Sequence, residues 1–392
     1  MDSDKLYLAL ILEAYFLAAP EHLEILQNQK QFLLRLKAIN DTLNLHETIN
    51  PDFARRNEIF LENIKRFFSS STSDNLISIT DSSIRIRDMN LEKCGLMKSK
   101  KKPQKVFYTN FDSSLGMEKR LKNISFIFKI GDDLRQDKLV IQMLKIFDDI
   151  WQKNGLNLQM TTYTVVPTEQ DTGILEYVQD AETVCKIQMA ESCKNSIHDS
   201  FNWMQKATSA FKKKLILQWL HVCNETEEER ARAHENFMLS CCGYTVAMYV
   251  LGIGDRHNDN IMMKKDGKLF HIDFGHVMGN FKYKYGFKRE RTPMVLPSEF
   301  VHVIESGGLD QFTRFRDLCE KGRNSKNSYI PKTCISAFLI LRESGCLIMS
   351  LLAMTLSSGM PELQGESDLQ HIRTALQLND HISEEEALGH FR

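Results

Sequence analysis

The stretch GIGDRHNDNIMMKKDGKLFHIDFGH, residues 252–276, places ionisable and amide side chains between two apolar runs. The run before it, ENFMLSCCGYTVAMYVLGIG at 235–254, is apolar nearly all round, which predicts a buried helix. Within the stretch, the Asp266–Gly267 pair suits a tight two-residue turn and predicts a β-hairpin. The polar residues therefore fall on the loop between a helix and a hairpin, and at the end of the second strand.

Asn260 on this loop and Asp273 at the strand end would be brought close by the hairpin. Protein kinases hold Mg²⁺ with a catalytic-loop asparagine and a strand-end aspartate, and Mg²⁺ takes its remaining ligands from phosphate and water. His257 is the candidate base, because the pKa of histidine lies near physiological pH, and Asp255 could orient it or the acceptor hydroxyl. A purely structural role in capping the helix and hairpin is the alternative, and the coincidence of the two motifs disfavours it.

Bulk composition excludes several classes of protein. The 392 residues are enough for two or three domains, and the formal net charge of −1 gives no global polyanion-binding signal, so no nucleic-acid partner is predicted. Nine cysteines without a CxxC pair favour a reduced, intracellular compartment. The acidic start, interrupted by Glu13, argues against a signal peptide, and no uncharged apolar run reaches the ~18 residues of a membrane span.

The pattern along the chain predicts an α+β fold. Residues 1–66 show helical spacing, and the Ser-rich region 67–89 is interpreted as a linker. Residues 90–180 contain short β-branched or aromatic runs, including 158–166, with one helix between strands. Helical patterns return over 181–392. We therefore expect a helical segment, a small β-rich lobe and a larger helical lobe.

Two motifs in the stretch quoted above and three further runs support a resemblance. GDRHNDNIM and HIDFGH resemble the phosphatidylinositol 3-kinase superfamily, and within it the beta/delta-type class I catalytic subunits. The family's ATP-lysine strand, hinge and activation loop are similar to IFKIGDDLRQD (127–137), GILEYV (173–178) and GNFKYKYGFKRERTPMVL (279–296). The resemblance implies a bilobal kinase-like fold over about 90–392, preceded by the end of a helical domain. It also implies that a C-terminal membrane helix would follow Arg392.

The resemblance also implies an ATP site. Lys129 would meet the α/β-phosphates as a point charge, and the backbone of Glu176 and Val178 would meet adenine. The remaining implied nucleotide contacts are Ser99 in the phosphate loop, Asp137 and Tyr163 deep in the pocket, and Met262 and Ile272 against the base. Where the family has a tryptophan after the phosphate loop, this chain has Lys105, which puts that aromatic wall in doubt.

The run after the DFG sequence is strongly basic, which on composition alone describes a solvated loop. Its position favours contact with a phosphorylated lipid, and each basic residue near an anionic leaflet contributes about 1 kcal/mol. His276 is implied at the γ-phosphate, where it could share proton transfer with His257. The implied headgroup contacts are Lys101, Lys102, Lys282, Lys288 and Arg289.

The implied activity is transfer of the ATP γ-phosphate to the 3-hydroxyl of phosphatidylinositol lipids, with the 4,5-bisphosphate as first candidate. ATP and Mg²⁺ are the implied cofactors, with Mn²⁺ as a substitute ion. An SH2-containing regulatory subunit, a small GTPase and a cytoplasmic enzyme recruited to the plasma membrane are implied for a full-length member. A superfamily Ser/Thr protein kinase, a phosphatidylinositol 4-kinase and an inactive scaffold are the alternatives. The basic run argues against the first two, and the filled catalytic positions argue against the third.

Overall fold

The structure is a computed structural model of the 392-residue chain. It describes residues 3–47, 52–69, 76–99, 101–110, 123–196, 214–280, 283–284, 287–288, 297–306, 319–321, 329–360, 363–379 and 382–391. The chain divides into two compact units. Unit 1 consists of Met1–Leu134 and Tyr163–Val178, and unit 2 consists of Arg135–Thr162 and Gln179–Arg392.

Unit 1 combines helices with an antiparallel sheet. Its helices are α1 Ser3–Ala18, α2 Pro20–Glu47 and α3 Phe53–Ser69. Its strands are β1 Leu76–Ile77, β2 Arg85–Met89, β3 Gly95–Leu96, β4 Gln104–Asn110, β5 Asn123–Ile130, β6 Val165–Glu169 and β7 Thr172–Glu176. Within the described residues these strands form one sheet in the order β1-β2-β4-β5-β7-β6, with β3 on β4.

The core of unit 1 lies between its helices and this sheet. Phe32 of α2 packs edge-on against Phe126 of β5, with ring centroids 5.9 Å apart. The amide nitrogen of Gln104 donates to the Leu36 carbonyl at 3.0 Å, so a buried polar side chain of β4 is hydrogen-bonded to α2. Two strands, β1 and β2, form inside the predicted linker 67–89, because apolar residues such as Ile84 and Ile86 are buried in this core.

Unit 2 is mostly helical. Its helices are α4 Arg135–Lys153, α5 Val184–Ser196, α6 Leu215–Cys223, α7 Glu227–Leu251, α8 Ser298–Glu305, α9 Lys332–Glu343, α10 Gly345–Ala353, α11 Glu366–Ala375 and α12 Glu384–Phe391, with a 3₁₀ turn at Leu356–Ser358. Its strands are β8 Ala181–Thr183, β9 Ile261–Lys264, β10 Leu269–His271, β11 Tyr283–Lys284, β12 Phe287–Lys288, β13 Cys319–Lys321 and β14 Tyr329–Pro331. Helices with small antiparallel sheets confirm the predicted α+β class.

Helix α7 is the predicted buried helix and carries the site at its end. A capping box between Thr226 and Glu229 satisfies backbone donors at its start. Gly252 ends it in the left-handed conformation, φ 57°, and donates to the Met248 carbonyl. A Cβ at Gly252 would lie 2.4 Å from the Gly279 nitrogen, so only glycine fits this close approach.

The predicted hairpin is confirmed as β9 and β10, which pair antiparallel with β8 on the other side of β9. Its turn is one residue longer than predicted. Lys264 N–H donates to the Lys268 carbonyl and Gly267 N–H donates to the Lys264 carbonyl, both at 2.9 Å, which encloses three residues. Gly267 has φ 90°, as a three-residue hairpin turn requires.

One other expectation differs from the structure: the run 158–166 lies outside any strand until Val165, where β6 begins. Helix α10 is only half-buried, with Leu347 52% exposed. Among the described residues no single helix has both the length and the apolar character needed to cross a bilayer.

Candidate active site

The loop between α7 and β9 is tied to the segment after β10 by backbone hydrogen bonds. Gly254 N–H donates to the His276 carbonyl at 3.0 Å, and Ile272 N–H donates to the Asn260 carbonyl at 3.0 Å. Asp255 and Asp273 both adopt left-handed backbone conformations, with φ 57° and 61°. Aspartate is one of the few non-glycine residues that tolerate this region, so the residue type fits the turn as well as the chemistry.

Arg256 holds these two segments together with its guanidinium group. Nε donates to the Gly254 carbonyl at 2.9 Å and Nη1 donates to the Ile272 carbonyl at 2.8 Å. Nη2 donates to the Asp273 carbonyl, and the guanidinium carbon lies 5.5 Å from the centroid of the Phe274 ring. No role was predicted for Arg256 from the sequence. Its place between Asp255 and His257 was the only signal available.

Asn260 and Asp273, the predicted metal ligands, lie at adjoining positions of the hairpin. The Asn260 side chain is buried and its Nδ2 donates to the Asp255 carbonyl at 3.1 Å. That bond engages the amide nitrogen, so Oδ1 is the atom that could face a cation. The Asp273 side chain is exposed. One amide oxygen and one carboxylate beside open solvent suit Mg²⁺, which keeps several water or phosphate ligands.

His257, the candidate base, is exposed on the loop. Its Nδ1 accepts from the Asp259 N–H at 3.3 Å, and the Asp259 carboxylate lies 3.9 Å from the same nitrogen. With Nδ1 accepting, the neutral ring carries its proton on Nε2. For Nε2 to accept a proton, the ring must first adopt the other tautomer, with its proton on Nδ1. The Asp259 carboxylate lies near Nδ1 and would favour that tautomer. Asp255 remains the predicted orienting residue, and Asp259 is a second carboxylate beside His257 that the sequence did not single out.

His276 is half-buried, and its carbonyl accepts the Gly254 N–H described above. The adjacent DFG residues are also fixed by the start of α4. Asp137 accepts from the Phe274 N–H at 3.2 Å, and Gln136 donates to the Phe274 carbonyl at 2.8 Å. Asp137, predicted as a nucleotide contact, therefore orders the backbone beside Asp273. Met262 and Ile272 are half-buried in the same unit.

His271 on β10 is a buried ionisable group that the sequence analysis did not select. Its ring stacks on Tyr244, with centroids 5.1 Å apart and planes 12° from parallel. Burial, followed by the charge of Arg256, lowers the pKa of His271 well below its usual value. The ring is therefore neutral near pH 7 and acts as a flat core side chain beneath the hairpin.

The remaining nucleotide candidates belong to unit 1, where a carboxylate organises the predicted lysine. Lys129 Nζ lies 2.7 Å from one oxygen of Asp132. Lys101 Nζ contacts the other oxygen and the Gly131 carbonyl. Burial alone would raise the pKa of Asp132, but hydrogen bonds from Lys101 and Lys129 outweigh it and leave that pKa below its usual value. Both lysines were predicted site residues, whereas the Asp132 carboxylate that joins them was not predicted from the sequence.

Ser99 and Lys102 belong to the tight turn between β3 and β4. Lys102 N–H donates to the Ser99 carbonyl at 3.1 Å, and the Lys102 backbone is left-handed with φ 46°.

Lys105, which stands where the family has a tryptophan, places its ammonium group over two aromatic rings. Nζ lies 5.1 Å from the centroid of Phe107 and 5.2 Å from that of Tyr177.

Tyr177 lies between the predicted hinge residues Glu176 and Val178. Glu176 N–H donates to the Thr164 carbonyl at 2.8 Å, so this backbone N–H is already hydrogen-bonded within the protein. Val178 is half-buried and Tyr163 is buried.

Among the predicted headgroup residues, Lys282 and Arg289 fall outside the described residues. Lys288 is described only as part of β12, paired with Tyr283 of β11.

Comparisons with known proteins agree with these motifs. Residues 123–365 match the family described as phosphatidylinositol 3- and 4-kinase. The chain is 36% identical over 382 residues to phosphatidylinositol 3-kinase 1 of Dictyostelium discoideum, covering 97% of this chain and 22% of that relative. It is 35% identical to phosphatidylinositol 3-kinase 2 over 97% of the chain and 18% of that relative. For phosphatidylinositol 3-kinase 3 the identity is 39%, over 80% of the chain and 16% of that relative. Both are from the same organism, and the chain thus spans about a fifth of their length.

Proposed function

The chain belongs to the phosphatidylinositol 3- and 4-kinase family, and on this premise we propose that it transfers the γ-phosphoryl group of ATP to the 3-hydroxyl of a phosphatidylinositol lipid. The observation that carries the proposal is that Asn260 and Asp273 lie at adjoining positions of one hairpin, where Ile272 N–H donates to the Asn260 carbonyl and Arg256 donates to the Asp273 carbonyl. Phosphoryl transfer depends on such positioning and on neutralising charge more than on covalent chemistry.

Each residue has a defined part in this proposal. Asn260 and Asp273 would hold Mg²⁺ or Mn²⁺, which supplies charge neutralisation at the β- and γ-phosphates. His257 would receive the hydroxyl proton, and Asp259 would stabilise the resulting ring charge. His276 would donate to the transferring phosphoryl group. Lys129 would leave Asp132 for nucleotide phosphate.

The basic residues near the DFG sequence support a phosphorylated inositol lipid as the acceptor. A protein hydroxyl needs no cationic cradle, whereas an inositol ring with phosphates does. Lys282, Lys288 and Arg289 would meet the ring phosphates, with Lys101 and Lys102 facing the leaflet. We favour phosphatidylinositol 4,5-bisphosphate on this charge. For the longer protein we propose an SH2-containing regulatory subunit, a small GTPase and recruitment from the cytoplasm to the plasma membrane.

A transfer assay tests the acceptor. The chain is incubated with labelled ATP, Mg²⁺ or Mn²⁺, and vesicles of phosphatidylinositol, its 4-phosphate or its 4,5-bisphosphate, with a Ser-containing peptide as the competing acceptor. Label at the 3-position, greatest with the bisphosphate, supports the proposal. Label on peptide alone would identify a protein kinase, and label at the 4-position a phosphatidylinositol 4-kinase.

Three variants separate chemistry from folding. Asp273→Asn and Asn260→Ala should each reduce transfer at least ~100-fold, because the first removes the negative charge of one metal ligand and the second removes the other ligand. His257→Ala should reduce it by about 10²-fold or more as a lost base. Asp180→Asn is the matched control, since its carboxylate pairs with Lys265 on the surface of the same unit at 3.0 Å. Full turnover in His257→Ala would remove that residue from the role of base.

A further inference from the structure

Asn258, between His257 and Asn260, is held by two contacts from helix α5. Cys185 N–H donates to the Asn258 carbonyl at 2.9 Å. The Asn258 side-chain Nδ2 donates to the Gln188 Oε1 at 2.9 Å. Backbone and side chain of one loop residue are therefore fixed by one turn of one helix, which restricts both its position and its rotation.

Gln188 continues this contact into the interior of unit 2. Its side chain is 2% exposed, and its Nε2 donates to the Glu299 Oε1 at 3.1 Å. Glu299 is 8% exposed and lies in the first turn of α8. The ring of Phe300 packs edge-on against Phe237 of α7 at 5.5 Å, so the helix that carries Glu299 is anchored to the core.

The chemistry of these groups gives the Gln188 amide one orientation. A Glu299 carboxyl oxygen accepts from the Gln188 Nε2, so the NH₂ end of the amide faces Glu299. The oxygen of Gln188 must then face Asn258, whose NH₂ group needs an acceptor. A glutamine between two acceptors or two donors could not satisfy both neighbours, and buried groups left without partners are costly.

We propose that Gln188 is a positioning residue for phosphoryl transfer, oriented by Glu299 and acting through Asn258 on the loop that carries His257 and Asn260. Gln188 acts through its hydrogen bonds to Asn258 and Glu299. Its effect is to hold the loop in register with the hairpin, and the catalytic part of this inference rests on the proposed function. Because displacement of about 1 Å can cost about 100-fold in rate, the loop position matters for turnover.

Exchanging the side chains of Gln188 and Glu299 tests whether the direction of their hydrogen bond matters. In Gln188→Glu, two buried carboxylates would face each other, and we expect kcat to fall ~100-fold with the KM for ATP within about threefold of wild type. In the double variant Gln188→Glu/Glu299→Gln the new carboxylate can accept from both neighbouring amides. We expect it to recover kcat to within about threefold of wild type. Gln370→Glu, on an exposed face of α11, is the matched control.

Amide hydrogen exchange gives a readout that does not need turnover. In Gln188→Glu, exchange in the peptide 252–264 should accelerate about tenfold or more and return to the wild-type rate in the double variant, while unit 1 peptides stay unchanged. Undiminished kcat in Gln188→Glu, no recovery in the double variant, or equal acceleration throughout the protein would overturn the proposal. If Gln188→Glu fails to fold, Glu299→Gln alone and the double variant are compared by the same exchange experiment. Absence of transfer in the wild type would instead overturn the proposed function, and exchange would still decide the positioning role.

Discussion

Lys129 in unit 1 and Arg256 in unit 2 are both cations near residues of predicted function, but they are held by different kinds of partner. Lys129 contacts the Asp132 carboxylate, whose side chain is 27% exposed and is shared with Lys101. Arg256 meets three backbone carbonyls in two segments and stacks on Phe274. A phosphate can replace a carboxylate as partner of Lys129, whereas no ligand replaces the backbone contacts of Arg256. The first arrangement suits a cation that binds, and the second suits a cation that positions.

The largest effect should come from Arg256→Lys, which keeps the charge but removes the planar fork of donors. Two or more carbonyls would lose their partner, and we expect ~2 kcal/mol of destabilisation with about 100-fold slower transfer. Thermal unfolding and the lipid assay measure the two effects. Arg230→Lys is the control, because Arg230 donates to one backbone carbonyl, that of Asn224, at 2.9 Å in the same unit. Unchanged transfer in Arg256→Lys would show that the fork is dispensable.

A smaller effect is expected from Lys129→Met. Losing the cation should weaken ATP binding about tenfold, which corresponds to about 1.4 kcal/mol, and should change thermal stability little, because a partly exposed ion pair contributes little. Isothermal titration with ATP and Mg²⁺ measures this. Lys37→Met, which breaks the Lys37–Glu169 pair of 2.6 Å in the same unit, should leave ATP affinity unchanged. Equal losses in both variants would mean that the effect is not specific to Lys129.

The Asp132 carboxyl predicts a pH dependence of stability. Because its pKa is lower in the folded state, the folded state gains stability above the pKa of an unfolded aspartate, about 3.9, and loses it as pH falls through the folded value. The difference in melting temperature between wild type and Asp132→Asn should therefore be present at pH 6 and should shrink below about pH 4. Melting curves across this range measure it, and a difference that stayed constant with pH would contradict the assignment.

The smallest effect is expected at Lys105. Lys105→Met removes a cation that lies over two rings, an interaction of about 0.5–1 kcal/mol at a partly exposed position. We expect a destabilisation of that size by chemical denaturation. Lys93→Met, at an exposed position of the same unit, should change stability by a smaller amount. If both variants behave alike, the Lys105 ammonium contributes nothing through the rings.

Local sequence patterns predicted much of the fold. The all-apolar run before Gly252 predicted a buried helix, and the Asp-Gly pair predicted the hairpin, because both depend on neighbours close in sequence. The strands inside 67–89 were missed, because their pairing depends on β4, which lies further along the chain. Ser-rich composition suggested a linker where burial of Ile84 and Ile86 decided otherwise.

The sequence by itself determined which residue types stand at the loop, the strand end and the turn, and where helix α7 stops. These features follow from backbone preferences and spacing within a few residues. Only the tertiary structure decided that Asp132 contacts both Lys101 and Lys129. It also decided that Arg256 donates to the Asp273 carbonyl. The contact of Gln188 with Glu299, 111 positions away in the chain, is a third example. These contacts join residues of segments that are distant in sequence. They therefore depend on how those segments pack together, which spacing along the chain does not reveal.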